Sequence, residues 1–140
     1  MVREGYLVGR PRGASQRLIA IDTSSLRRFL SGDSGPDVDL VRDSMNRGRA
    51  VLPPVVVCEL LSDPATPREL VEDISLLPVL ETVEGFWIRA GLLRARLIAS
   101  GHKAKLADVL IAQCCIDHHV PLVTHDRDFR HFARAGLTLL

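Results

Sequence analysis

The chain has 140 residues, of which 46% are hydrophobic and 25% are charged, and its formal net charge is +1. This length and composition are typical of one globular domain with its own core, and the small net charge excludes a polycation that binds nucleic acid through bulk charge. No run of 18 apolar residues occurs and no apolar stretch follows the basic N-terminus, so we expect neither a membrane span nor a secretory signal.

The first predicted segment is a basic tail over residues 1–17, where Gly, Ser, Pro and Arg are mixed without periodicity, as is typical of a flexible segment. The tail has a net charge of +3, since it contains Arg3, Arg10, Arg12 and Arg17 and only one acid, Glu4. Residues 18–140 therefore have a net charge of −2. A slightly acidic body is not typical of a protein that reads duplex DNA, but it is compatible with a nuclease, because bound cations reverse the sign of an acidic pocket.

Strands and helices are predicted to alternate along the rest of the chain. In chain order, apolar runs and helical spacing predict strand 17–22, helices 24–32 and 36–48, strand 50–53, helices 54–63 and 66–77, strand 79–83, helices 85–101 and 106–119, strand 120–126, a short helix 126–136 and strand 137–140. The helix over 85–101 has one apolar face, formed by Phe86, Ala90, Leu93 and Leu97. The helix over 106–119 is apolar almost all round, which predicts a central, buried position.

This alternation predicts the fold class and the number of domains. Strands that alternate with helices form a parallel sheet covered by helices on both faces, so we expect an α/β protein with a three-layer α/β/α sandwich over 18–140. Three cysteines, of which two are adjacent, do not suggest a disulfide framework, and a reducing cytoplasm is the expected location.

Acidic residues occur at similar places in the predicted fold. Asp22 ends the first strand, Asp126 follows the strand over 120–126, Glu59 lies on the helix after strand 50–53, and Asp108 opens the central helix. Ligands of parallel sheets bind outside the carboxyl ends of the strands, so these acids can meet at one edge. Carboxylates gathered there would repel one another unless a cation bound them, and oxygen ligands suit Mg²⁺ or Mn²⁺. The expected chemistry is hydrolysis of phosphate esters by metal-activated water.

Each acid also has a purely structural interpretation. Asp22 and Asp108 precede or open helices and could serve as N-caps. Asp126 and Asp128 could be turn or cap residues. Glu59 is harder to explain in this way, because glutamate is almost never buried unpaired.

Four segments resemble the PIN domain, and specifically the VapC-type toxin ribonucleases of bacterial toxin–antitoxin pairs: IDTSSL (21–26), PPVVVCELLS (53–62), LADVLIAQCC (106–115) and LVTHDRDF (122–129). The resemblance implies an α/β/α fold and a Mg²⁺- or Mn²⁺-dependent endoribonuclease that cuts RNA. It implies a homodimer that a small VapB-type antitoxin inhibits. It also implies catalytic roles for Asp22, Glu59, Asp108 and Asp126, with supporting hydroxyls from Thr23, Ser24 and Thr124. Asp128 is either a substitute for Asp126 as the fourth acid or an additional metal ligand.

The chain departs from this family pattern at the tail and at Lys103 and Lys105, which precede Asp108 where an apolar, glycine-containing segment is usual. These lysines could contact phosphate or could belong to a solvated loop.

Two other functions stay open. A receiver-type phospho-acceptor domain would need an acidic pair after the first strand and a lysine after a late strand, which this sequence lacks. A catalytically inactive PIN-like binding module would share the fold but not the metal chemistry.

Overall fold

The computed structural model describes residues 17–140, and the predicted tail lies outside the described residues apart from Arg17. Its centre is a parallel sheet of three short strands, β1 (Ile19–Ile21), β2 (Ala50–Val51) and β3 (Leu122–Val123), in the order β2-β1-β3. In register, Ile19 pairs with Ala50 and Ile21 pairs with Val123. All three residues of β1 are buried, as expected for a central strand with helices over both faces.

A single backbone bridge extends the sheet at each edge. Val79 pairs with Leu52, and Leu139 pairs with Leu122, both in the parallel sense. The strands predicted over 79–83 and 137–140 were therefore wrong in extent, because each edge segment makes only one pair of bridging hydrogen bonds before it leaves the sheet. The strand predicted over 120–126 is likewise shortened to β3, since the backbone beyond Val123 turns into the loop that carries Thr124.

The predicted helices are present with small changes at their ends. They are α1 (Thr23–Leu30), α2 (Pro36–Asn46), α3 (Pro54–Leu61), α4 (Arg68–Ser75), α5 (Phe86–Ala99) and α6 (Leu106–His118). The short helix predicted over 126–136 is a 3₁₀ helix, Arg127–Ala135. Among residues 17–140, no helix combines the length and apolar character needed to cross a membrane.

The core confirms the predicted roles of the two long helices. On α5, the buried residues are Phe86, Ala90, Leu93 and Leu97, the apolar face that the spacing predicts. Helix α6 buries residues on several sides, including Val109, Ile111 and Cys114, and it contacts α3, α5 and the 3₁₀ helix. The fold class is thus the predicted one, a parallel sheet flanked by helices. Its tight packing fixes the carboxyl ends of β1 and β3 side by side.

Candidate active site

Asp22 lies at the carboxyl end of the central strand. It follows β1 directly, and its backbone N–H donates to the carbonyl of Val123 at 2.9 Å, so it lies beside the end of β3. Its side chain is only 4% exposed. A carboxylate buried to this degree needs hydrogen-bond donors, because its desolvation is otherwise costly.

Two hydroxyls supply those donors. Ser24 Oγ donates to Asp22 Oδ2 at 2.7 Å, and Thr124 Oγ1 donates to the same oxygen at 2.8 Å. Asp22 occupies the N-cap position of α1, yet its side chain makes no capping hydrogen bond to that helix. The N-cap interpretation of Asp22 therefore fails, since its carboxylate joins α1 to the end of β3 instead.

The same hydroxyls also hold the backbone around the candidate acids. The N–H of Asp126 donates to Thr124 Oγ1 at 3.0 Å, and the N–H of His125 donates to Ser24 Oγ at 3.1 Å. Each hydroxyl is thus donor to Asp22 and acceptor from the loop after β3. This geometry fixes the position of the loop relative to the central strand.

Glu59 is held by the helix that follows β1. Thr23 Oγ1 donates to Glu59 Oε1 at 2.8 Å, and Arg27 Nη2 donates to the Glu59 backbone carbonyl at 3.0 Å. Thr23 is buried and Glu59 is partly exposed. The hydrogen bond leaves the second carboxylate oxygen of Glu59 available to another partner.

Three further acids form a compact group. One carboxylate oxygen each from Asp108, Asp126 and Asp128 can be chosen so that all three lie within 4.8 Å of one another. Asp126 does have the predicted capping role, because its Oδ1 accepts from the N–H of Asp128 at 2.9 Å at the start of the 3₁₀ helix. Asp108 does not cap α6, since the N-cap is Lys105 and Asp108 lies in the first turn.

The crowding of negative charge is visible in the electrostatics of Asp108. Burial, the charges of Asp126 and Asp22 and, more weakly, that of Glu59 together raise the pKa of its carboxyl to about 6, while the charge of Lys105 opposes them. All four predicted catalytic acids therefore interact electrostatically. Like charges this close favour binding of a cation, and the donor set consists of carboxylate oxygens without His or Cys, which fits Mg²⁺ or Mn²⁺ better than zinc.

A second network beside the site was not predicted. Asp37, in the first turn of α2, accepts from Ser25 Oγ at 2.9 Å and from Arg28 Nε at 3.0 Å, and His125 Nδ1 lies 3.8 Å from it. Burial alone would raise the pKa of Asp37, but the hydrogen bonds from Arg28 and Ser25 and the charge of Arg28 hold it below its usual value. An acid after a proline at a helix start is an ordinary helix-start residue in sequence, so no signal distinguished it.

Asp117, near the C-terminal end of α6, is held in a structural ion pair outside this site. Arg89 Nη2 donates to Asp117 Oδ2 at 2.8 Å and Arg89 Nε to Oδ1 at 3.0 Å, while Gln113 Nε2 donates to Oδ1 at 2.8 Å. This bidentate ion pair ties α5 to α6 at the end of α6 that is far from Asp108. It leaves the acids at the strand ends as the candidate chemical site.

Comparisons with known proteins agree with this architecture. A family model, the PIN domain, matches residues 19–135. No curated protein matches the sequence. A chain of VapBC-1 from nontypeable Haemophilus influenzae has a similar fold, with a TM-score of 0.70, 19% identity and coverage of 88% of this chain and 96% of that one. A chain of VapBC2 from Rickettsia felis, bound to a promoter DNA fragment, has a TM-score of 0.68 and 18% identity, with coverage of 88% of this chain and 97% of that one. A chain of FitAB bound to a DNA fragment has a TM-score of 0.69 and 19% identity, with coverage of 88% of this chain and 94% of that one.

Proposed function

The chain belongs to the PIN domain family, and from this premise we propose that it is a metal-dependent endoribonuclease that acts as the toxin of a toxin–antitoxin pair. The proposed substrate is RNA, and the proposed reaction is hydrolysis of a phosphodiester bond. Asp22, Glu59, Asp108 and Asp126 are the proposed catalytic residues.

One observation carries this proposal. Carboxylate oxygens of Asp108, Asp126 and Asp128 lie within 4.8 Å of one another, and the charges of Asp22 and Glu59 also raise the pKa of Asp108. An acidic cluster of this density destabilises the metal-free fold, because the negative charges of Asp126, Asp22 and Glu59 oppose ionisation of Asp108. Its retention at the carboxyl edge of a parallel sheet, where ligands of such folds bind, supports a site for a cation and an anionic substrate.

The chain's own residues have distinct proposed tasks. Asp22, Asp108, Asp126 and Asp128 would hold Mg²⁺ or Mn²⁺, which when bound supplies positive charge to the phosphodiester and makes water a better nucleophile. Ser24 and Thr124 fix the Asp22 carboxylate through their hydroxyls. Thr23 holds one oxygen of Glu59, so that the other can orient or deprotonate an attacking water.

An antitoxin partner is proposed from the similarity in fold. The similar structures are VapBC and FitAB assemblies, and one similar chain comes from a member of the VapBC family of toxin–antitoxin systems. We infer that this chain pairs with a VapB-type antitoxin, forms a homodimer, and works in the cytoplasm. Three free thiols, two of them buried, are compatible with that location.

The alternatives are less well supported. A receiver-type domain lacks support, because the chain belongs to the PIN family and no acidic pair follows β1. An inactive PIN-like module would be expected to have lost some of its acids or their supporting contacts. Here all four acids interact, and the three hydroxyls donate to Asp22 and Glu59.

The proposal is tested by incubating the purified protein with tRNA, rRNA and mRNA in Mn²⁺, Mg²⁺ or EDTA. We expect cleavage with either metal, none in EDTA, and products with 5′-phosphate and 3′-hydroxyl ends. The matched variants are Asp108→Asn, which should abolish cleavage, and Asp39→Asn, which removes the same charge from an exposed site on α2 and should not. Full activity in EDTA, or a 2′,3′-cyclic phosphate product, would contradict the mechanism.

A further inference from the structure

A small basic pocket lies between the C-terminal end of α5, the loop that follows it and the 3₁₀ helix. It has a volume of about 190 Å³, below the roughly 300 Å³ at which pockets for drug-sized ligands begin. Its floor is apolar, formed by Leu93, Leu97 and Ala135. Its polar wall consists of Arg96, Ser100, His102, His131 and Arg134.

Two stacked imidazoles join the segments that carry the candidate acids. The rings of His102 and His131 have centroids 4.1 Å apart and planes inclined by 29°. His102 belongs to the loop that leads into α6 and Asp108, and His131 follows Asp128 by one turn of the 3₁₀ helix, a rise of about 6 Å. The basic pocket therefore lies next to the acidic cluster along both segments.

The charge of the basic pocket is uncompensated. No acidic side chain lines it, and the guanidinium groups of Arg96 and Arg134 make no ion pair with any residue among 17–140. Arg89, about two helical turns before Arg96 on α5, is by contrast paired with Asp117. Lys105, three residues after His102 in the chain, adds positive charge near the cluster, since its charge lowers the pKa of Asp108.

We propose that the basic pocket binds a phosphate of the RNA backbone that flanks the scissile bond. The proposal rests on the proposed nuclease function, because an RNA held at the acidic cluster must leave it across an adjacent surface. Two guanidinium groups without an ion pair and two ring nitrogen donors match the oxygens of one phosphate, whereas the Ser100 hydroxyl already donates to the Arg96 carbonyl at 2.9 Å. The two guanidinium cations of the wall suit a charged phosphate better than a neutral base, so the contact is independent of sequence.

The experiment measures RNA binding by fluorescence anisotropy in an Asp108→Asn background, which should not cleave. Labelled probes are a dinucleotide and a longer unstructured oligonucleotide. The test variant combines Arg96→Gln with Arg134→Gln. The control combines Arg47→Gln with Arg68→Gln, which removes equal charge from exposed arginines just after α2 and at the start of α4, outside the pocket. Thermal unfolding of each variant verifies that the fold is retained.

We expect the test variant to bind the longer RNA about 10-fold more weakly than its parent, as loss of a charge-assisted contact predicts. The plot of log K against log salt concentration should become less steep by about 0.7, the value for one phosphate contact on a single strand. The dinucleotide should show little change, because its one phosphate is the scissile one and none flanks it. The control variant should also show little change. Equal losses in test and control variants, equal losses with both probes, or lost affinity for an antitoxin with RNA binding intact would overturn the proposal.

The two proposals fail separately. If wild-type protein does not cleave RNA with Mn²⁺ but the basic pocket still determines binding of the longer probe, the nuclease assignment fails and the phosphate site stands. If cleavage requires metal and Asp108 while the pocket variants behave as the control does, the phosphate site fails and the nuclease stands.

Discussion

Replacement of Asp108 by asparagine should stabilise the metal-free protein while it abolishes activity. In the folded protein the pKa of this carboxyl is about 6, against an ordinary value of 3.8, because of burial and the charges of Asp126 and Asp22. Between these values the folded state binds more protons than the unfolded state, so stability falls as pH rises through that window. A difference of about two pH units in pKa corresponds to a penalty of about 3 kcal/mol above pH 7.

Asparagine keeps the shape of the side chain but cannot ionise, so this penalty disappears in the variant. Without metal at pH 8, Asp108→Asn should unfold at a higher temperature than the wild type, by on the order of 10 °C for a gain of about 2 to 3 kcal/mol. Near pH 4 the two proteins should unfold at nearly the same temperature, because the wild-type carboxyl is then mostly protonated. Circular dichroism melts in EDTA across this pH range measure both effects.

The same variant should cleave RNA at least about 100-fold more slowly than the wild type in single-turnover assays with Mn²⁺, beyond the usual effect of a residue that only orients a ligand. Asp39→Asn on the surface of α2 is the control and should change stability by no more than about 0.5 kcal/mol. A variant that melts at or below the wild-type temperature at pH 8 would refute the claim that crowded carboxylates destabilise the metal-free site.

Two further outcomes follow from named contacts, and a third follows from the proposed toxin function. Thr124→Val removes a donor to Asp22 and an acceptor for the Asp126 N–H. Denaturant titration should therefore find the free energy of unfolding lower by about 1–3 kcal/mol, and RNA cleavage should fall roughly 10- to 100-fold. Unchanged cleavage would remove Thr124 from the site. Asp117→Asn weakens the pair with Arg89, so stability should fall by about 1–2 kcal/mol at neutral pH with cleavage unaffected. Because that pair lowers the pKa of Asp117, the loss should vanish as the pH falls through this lowered pKa. Expression of wild-type protein without an antitoxin should arrest host growth, whereas Asp22→Asn should not; equal growth would contradict the toxin assignment.

The parts of the fold that depend on local pattern were predictable. The helical spacing of Phe86, Ala90, Leu93 and Leu97 identified the buried face of α5, because burial of one face is what imposes that spacing. The position of Asp22 after an apolar run located it at a strand end. The edge strands over 79–83 and 137–140 were overestimated, since an apolar run does not reveal how many backbone hydrogen bonds its neighbour offers.

The contacts of the candidate site were less predictable than its residues. Whether Asp22 caps a helix or accepts from Ser24 and Thr124 depends on a contact between residues about a hundred positions apart, which only the folded sheet creates. The network around Asp37 and the stack of His102 on His131 also join distant segments. No local spacing in the sequence records such pairs.

The central claim is that the acids at the carboxyl ends of β1 and β3 form one site for a divalent cation. Calorimetric titration of Mn²⁺ into the metal-free wild type and into Asp108→Asn and Asp39→Asn tests it directly. We expect binding to the wild type and to Asp39→Asn, with release of protons near pH 6 as Asp108 ionises. Binding to Asp108→Asn should be at least about 10-fold weaker. Equal affinity of all three proteins for Mn²⁺, or no binding by the wild type, would contradict it.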